Sequence, residues 1–305
     1  MLLNLSTPTR PESLTALRTM LSDSVVSAHS KRSYLRALDD LLALVQSTRQ
    51  PINRALVMAY RAQMIRSGLS PSTINVRLCA IRKLTSEARD NGLLDPLEAT
   101  RIVSVPGVRS EGLHLGHWLT QEEVKRLFAV LDRASLIGKR NYALISFLVH
   151  CALRREEAAG LEMRTLQLRE GRWCFVDMVG KGGRLRTIAV PSAAKAAVDE
   201  WVHAAGFRSG PIFRAMRKGG RVAEPPAALS SWAVWDVVVR AADLGGIKHL
   251  GPHGLRRTCA KLCRKAGGEL EQIQLMLGHE YLSTTQRYLN STQEFRHAVN
   301  DRLVF

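Results

Sequence analysis

Apolar residues recur at helical spacing through roughly the first third of the chain, and then the pattern stops. Tyr34, Leu35, Leu38, Leu41, Leu42 and Val45 make one stripe, and Ile74, Leu78, Ile81 and Leu84 make another. Spacings of three and four place such side chains on one helix face. Pro51 ends the first stretch. Asn53 supplies a cap for a helix that stops near Gly68, and Ser-Pro-Ser-Thr at 70–73 restarts the chain. Between Ala99 and Leu119 the segment RIVSVPGVRSEGLHLG carries a proline and three glycines and has no helical period. It reads as a linker. The expected organisation is a helical domain over 1–100, a linker over 101–118 and a second domain over 119–305.

The second domain opens with Thr120-Gln121-Glu122-Glu123, which has the form of a capping box: the Thr120 hydroxyl accepts from a first-turn amide and Glu123 reaches back. The remainder of this domain is mostly helical in pattern, over 192–205, 229–242, 254–266, 269–277 and 284–289. The exception is RWCFVDMVGKGGRLRTIAVP. Trp173–Val179 and Leu185–Val190 are β-rich runs joined by a glycine-rich turn around Lys181, which predicts a hairpin. The fold class is therefore mainly α with a small β-hairpin or sheet: a helical N-terminal domain followed by a mixed α/β domain.

Of the 305 residues, 46% are hydrophobic, enough for real cores. The formal net charge is +17. Residues 1–105 hold 14 basic and 8 acidic side chains and the remainder 30 and 19, so both halves are basic. Such an excess favours a polyanionic partner. The five cysteines are too scattered for a disulfide framework, and Cys259 and Cys263 read as small buried hydrophobes. The start, MLLNLSTPTRPES, lacks the pattern of a signal peptide. The apolar run near Tyr142–Leu153 is well short of the ~20 residues of a membrane span. A cytoplasmic, reduced protein is expected, with no membrane contact.

Four short stretches carry polar groups that need an explanation. In CALRREEAAGL, Arg154 follows a strongly apolar run and Glu157 stands three residues on. Glu157 is either a structural partner at helical spacing or part of a site. In GKGGRLR, Lys181 is either a solvated turn residue or a cation that reaches a neighbouring site; a phosphate-binding P-loop would need a helix after the lysine, and a strand comes instead. In HGLRRT, His253 and Arg256 share one face of a helix start, Arg257 adds a third cation, and the positive end of the helix favours phosphate. In LMLGHEYLSTTQRYL, His279 precedes Tyr288 by nine residues. In the first domain Arg77, Arg82 and Lys83 lie among or opposite the apolar stripe, as either a solvated face or phosphate contacts.

Taken in order, an Arg-x-x-Glu, a hairpin lysine, a His-x-x-Arg, a Gly-His and a tyrosine nine residues later, the set closely resembles the tyrosine recombinases, the phage integrase family. The resemblance covers nearly the whole chain. It implies a core-DNA-binding domain that clasps the duplex, followed by a catalytic domain. It further implies that Arg154 and Arg256 are the two catalytic arginines, Glu157 the support of the first, Lys181 the hairpin lysine, His253 and His279 the active-site histidines, and Tyr288 the nucleophile. Tyr281 is a rival that stands too close to His279. Arg155 and Glu156 stand where small or apolar residues are commoner, and Arg257 where histidine is frequent. The implied activity is site-specific recombination through a 3′-phosphotyrosyl intermediate and a Holliday junction, without cofactor or metal, on double-stranded DNA sites and by a homotetramer. A tail segment over 293–305, with Phe295, Ala298 and Val299 on one face, is expected to dock on a neighbouring protomer or at home. The rival readings are a type IB topoisomerase-like relaxase, which shares the chemistry but joins no sites, and a catalytically silent DNA-binding protein.

Overall fold

A computed structural model of the chain describes residues 11–109, 117–180, 183–217 and 219–289. The chain forms two compact units, residues 1–113 and 114–305.

The described residues of the first unit form five helices: α1 (Pro11–Asp23), α2 (Ala28–Thr48), α3 (Arg54–Arg66), α4 (Pro71–Asp90) and α5 (Pro96–Val103). Their starts are where capping chemistry puts them. Asn53 Oδ1 accepts from the Leu56 amide at 2.9 Å and Ser70 Oγ from the Thr73 amide at 3.2 Å, each meeting a donor that the helix cannot satisfy internally. Leu38, Leu41, Leu56, Tyr60, Ile74, Leu78, Ile81 and Leu84 fill the core between them. The expected linker begins within the last turn of α5 and then lies along α4. Asn75 pairs with both backbone groups of Val108, donating to its carbonyl at 2.9 Å and accepting from its amide at 2.8 Å. A methyl on Gly107 would fall 2.6 Å from Asn75 Oδ1, so the close approach needs glycine.

The second unit continues with α6 (Gln121–Ala129), α7 (Leu136–His150), the short α8 (Arg155–Ala159), strands β1 (Leu166–Arg169), β2 (Arg172–Val179) and β3 (Leu185–Ala189), and helices α9 (Ser192–Ala205), α10 (Ser231–Leu244), α11 (Pro252–Lys265), α12 (Leu270–Leu277) and α13 (Leu282–Leu289). Both halves of the capping box at Thr120 and Glu123 are formed. The three strands make one antiparallel sheet in the order β1-β2-β3. The β2–β3 register shifts between Phe175 and Met178, where Asp177 takes a left-handed conformation (φ 52°). An aspartate tolerates that region better than most residues. Helix α7 is buried on nearly every side, and its Phe147 meets Phe175 of β2 and Phe213 edge-on, at 5.0 and 5.7 Å between ring centroids. A smaller apolar cluster of Ala152, Cys259, Ala260, Ile273, Leu277 and Leu289 joins α11, α12 and α13. Among the described residues, no helix is long and apolar enough to cross a membrane.

Candidate active site

The site begins where α7 ends. Ala152 takes a left-handed backbone (φ 50°) and turns the chain, so that Arg154 falls at the N-cap of α8 in an extended conformation (φ −73°, ψ 153°). The cap position frees its side chain from the helix surface. Glu157, one turn on, accepts from the Arg154 amide at 2.7 Å and from its Nη1 at 2.8 Å. The same carboxylate accepts from Arg186 of β3, Nη1 to Oε1 at 3.0 Å and Nη2 to Oε2 at 2.7 Å. The Glu157 side chain is only 8% exposed. Burial pushes its pKa up, but the bonds from Arg186 and Arg154 outweigh burial and bring it down to about 2. One carboxylate thus fixes two guanidinium groups.

Helix α11 supplies the next part. Gly251 caps it and Pro252 sits at its first position, where a missing amide hydrogen costs nothing. Arg256 is 1% exposed. It donates from Nη1 to the Ala152 carbonyl and from Nη2 to the Leu277 carbonyl, so it ties the turn before Arg154 to the end of α12. No carboxylate among the described residues pairs with it directly. Burial, and then the neighbouring Arg154, lower its pKa to about 10, which still leaves it charged at neutral pH. His253, one turn earlier, keeps much of its ring open to solvent, yet the side chains packed beside it remove enough water to lower its pKa. Arg256, Arg257 and Arg154 push it the same way.

The last part comes from α12 and α13. Gly278 ends α12 in a left-handed conformation (φ 62°), and His279 follows. His279 Nδ1 shares a hydrogen bond with the buried Thr285 hydroxyl at 2.9 Å. Burial, then Arg256 and Arg154, lower its pKa to about 4. Tyr288 packs edge-on against both histidines, with ring centroids 5.5 Å from His253 and 5.3 Å from His279. The Arg257 guanidinium lies 4.8 Å from the centre of the phenol ring. Burial raises the Tyr288 pKa; Arg256 and Arg257 counter it through their charge. Its hydroxyl is buried beside the Arg256 and Arg257 guanidinium groups. Tyr281, by contrast, is 63% exposed.

The fold therefore brings Arg154, Glu157, His253, Arg256, His279 and Tyr288 together from well-separated stretches of chain. Lys181 lies outside the described residues, as does the tail at 293–305. Gly180, the residue before Lys181, abuts the site: a methyl there would sit 3.8 Å from Arg154 Nη1 and 3.0 Å from Arg186 Nη1. Arg186 is the group that spacing did not reveal. It is one of several basic residues in GKGGRLR, and only its buried pairing with Glu157 distinguishes it, since Arg184, just before β3, pairs with Glu280 at 2.8 Å and stays half-exposed. In the first unit, Arg77 pairs with Asp40 at 2.7 Å and Lys83 with Glu87 at 2.7 Å. Arg82 donates to the carbonyls of Val103 and Val105, at 3.2 and 2.6 Å, and so holds the chain that leaves α5.

The convergence of two guanidinium groups, two near-neutral imidazoles and a buried phenol suits a tetrahedral or pentacoordinate phosphorus. Guanidiniums donate pairs of bonds to phosphate oxygens, and the phenol is placed to attack. Comparison with known proteins points the same way. The model of the phage integrase family matches residues 117–294, and that of the phage integrase N-terminal SAM-like domain matches residues 17–92. The chain is 30% identical over 278 residues to the tyrosine recombinase XerC of Xanthomonas campestris pv. campestris, covering 89% of this chain and 81% of the relative. It is 27% identical to XerC of Salmonella typhi, over 93% of this chain and 91% of that protein. Among solved structures, XerH bound to difH in a pre-cleavage complex has a TM-score of 0.67 at 19% identity, covering 88% of this chain and 77% of that one. A lambda integrase dimer bound to a COC′ core site has 0.69 at 16%, covering 90% and 75%.

Proposed function

The chain belongs to the phage integrase family, and on that premise we propose that it is a site-specific tyrosine recombinase whose nucleophile is Tyr288. The observation that carries the assignment is the meeting of Arg154, Arg256 and the buried Tyr288 hydroxyl around one place.

In this reading the Tyr288 oxygen attacks a DNA phosphorus. The phosphorus–oxygen bond to the 5′ side breaks, and the strand stays on the enzyme as a 3′-phosphotyrosine. The phenol proton passes to neutral His253, whose depressed pKa keeps it free to accept. Arg154 and Arg256 take the charge that grows on the non-bridging oxygens, and His279 donates to the same phosphate. Loss of one donor of this kind lowers a rate by about 10² to 10³. Lys181 returns a proton to the leaving 5′-oxygen. A 5′-hydroxyl from a second duplex then reverses the step with a new partner, so one bond is exchanged for another. Two rounds pass through a Holliday junction held by four protomers. The helical unit at 1–100 clasps the duplex, and the tail at 293–305 docks on a neighbouring protomer. The reaction belongs in the cytoplasm, where the DNA is.

The test is covalent capture. Wild-type protein incubated with DNA and denatured in detergent carries a DNA adduct, whose sequencing gives the site. A nicked duplex of that site traps the adduct in high yield, and Tyr288→Phe removes it. An adduct that survives Tyr288→Phe moves the nucleophile elsewhere. Relaxation of plasmids without exchange between two such sites would make the protein a relaxase, and no adduct on any DNA would make it a binding module. Synapsis that persists after deletion of 293–305 would remove the tail from the assembly.

A further inference from the structure

Beside the catalytic groups the described residues line an open cleft of about 360 Å³. Arg154, His253 and Arg256 line part of it. A water molecule takes about 30 Å³ of liquid, so this space holds far more than one phosphate group and falls in the size range of small-ligand pockets. The rest of the lining comes from Arg155, Glu156, Trp235 and the turn at Gly251 and Pro252.

Two of these side chains have no structural occupation. Helix α10 buries Val234, Val237, Val238, Ala241 and Ala242 against the core, whereas Trp235 lies off that face and is 39% exposed. Its indole borders Gly251: a methyl there would meet Nε1 at 3.7 Å and Cδ1 at 3.9 Å, so the absent side chain leaves the indole edge open toward the start of α11. Arg155 is half-buried and, unlike Arg154 and Arg256, has no hydrogen bond or ion pair among the described residues. A guanidinium without a partner, next to an indole outside the core, is a pairing that an anionic group joined to an apolar ring would complete.

We propose that Trp235 and Arg155 form a contact for the nucleotide adjoining the scissile phosphate, with the indole packed on its deoxyribose and the guanidinium on its phosphate. This rests on the recombinase reading, since the strand must run on from a phosphate held by Arg154 and Arg256. The exposed Glu156 carboxylate repels a phosphate on its own side and so leaves Arg155 as the anion's position. Sugar and phosphate carry no base identity, so the contact positions the strand and does not read it.

The experiment uses the full chain and the nicked duplex of the captured site. Trp235→Ala lowers the single-turnover rate of adduct formation about tenfold, as loosened positioning of a strand at its reacting phosphate does, and Trp235→Phe restores most of it. Arg155→Ala lowers the slope of log K against log salt by about 1, as loss of one phosphate contact does. A methylphosphonate at the adjoining phosphate removes the difference between wild type and Arg155→Ala. Unchanged rate and salt slope in both variants, or an Arg155 effect that the methylphosphonate leaves whole, would overturn the contact while wild-type adduct formation kept the recombinase reading intact. Absence of any wild-type adduct would end both.

Discussion

At the scale of single residues, the chemistry of the site turns on Glu157. Its folded pKa, about 2, lies below the ordinary value of 4.5, so it contributes stability that is present above pH 4.5 and is lost as pH falls toward 2. A shift of that size corresponds to on the order of 3 kcal/mol. Glu157→Gln should therefore destabilise the second unit at pH 7 by a few kcal/mol in urea titration, and should flatten the acid limb of the stability curve below pH 4.5. His279 adds an earlier limb. Its folded pKa of about 4 lies below the ordinary 6.5, so its share of stability is complete above pH 6.5 and falls away between 6.5 and 4, where the unfolded chain binds a proton that the folded chain refuses. Guanidinium repulsion is part of the cause, so an anion between those groups should reverse it. The His279 pKa, followed by NMR, should rise when the protein binds duplex DNA. A titration curve that stays put would mean that no phosphate reaches His279.

Elements place these residues, and here the legibility of the sequence divides cleanly. The hairpin was readable because β-branched runs flank glycines, and α11 was readable because Pro252 stands at its first position with a helical pattern after it. Asn53, Ser70 and Thr120 announced helix starts through side chains that have few other uses there. Strand β1 was not readable: four residues, LQLR, carry too little pattern and gain their state only by pairing with β2. The same holds for Arg186, whose role depends on which way β3 faces, and for Arg82, whose carbonyl partners come from a segment about twenty residues away. The turn between α12 and α13 depends on Gly278, which combines a left-handed backbone with a close neighbour. A methyl there would lie 3.0 Å from Arg186 Cδ and 3.2 Å from its Nη1. Gly278→Ala should cost about 1–2 kcal/mol from the backbone alone. Because it also displaces Arg186, it should slow adduct formation more than its loss of stability explains, a split that thermal melts and single-turnover rates together would reveal.

For the whole molecule, the net charge of +17 and its spread over both units set how DNA is held. A duplex gripped through phosphates releases counterions, so affinity should fall steeply with salt, by about 10³ to 10⁵ between 50 and 200 mM if six to ten phosphates are engaged. Fluorescence anisotropy across that range checks it, and a flat response would mean that the basic surface serves some other end. Within the second unit, Arg154, Arg186 and Arg256 crowd about a single buried carboxylate, Glu157. Such a pocket, before it meets its duplex, is a trap for stray polyanions. The protein should leave the cell carrying nucleic acid, cling to heparin resin until strong brine strips it, and keep best in a sulfate buffer that offers those cations an anion.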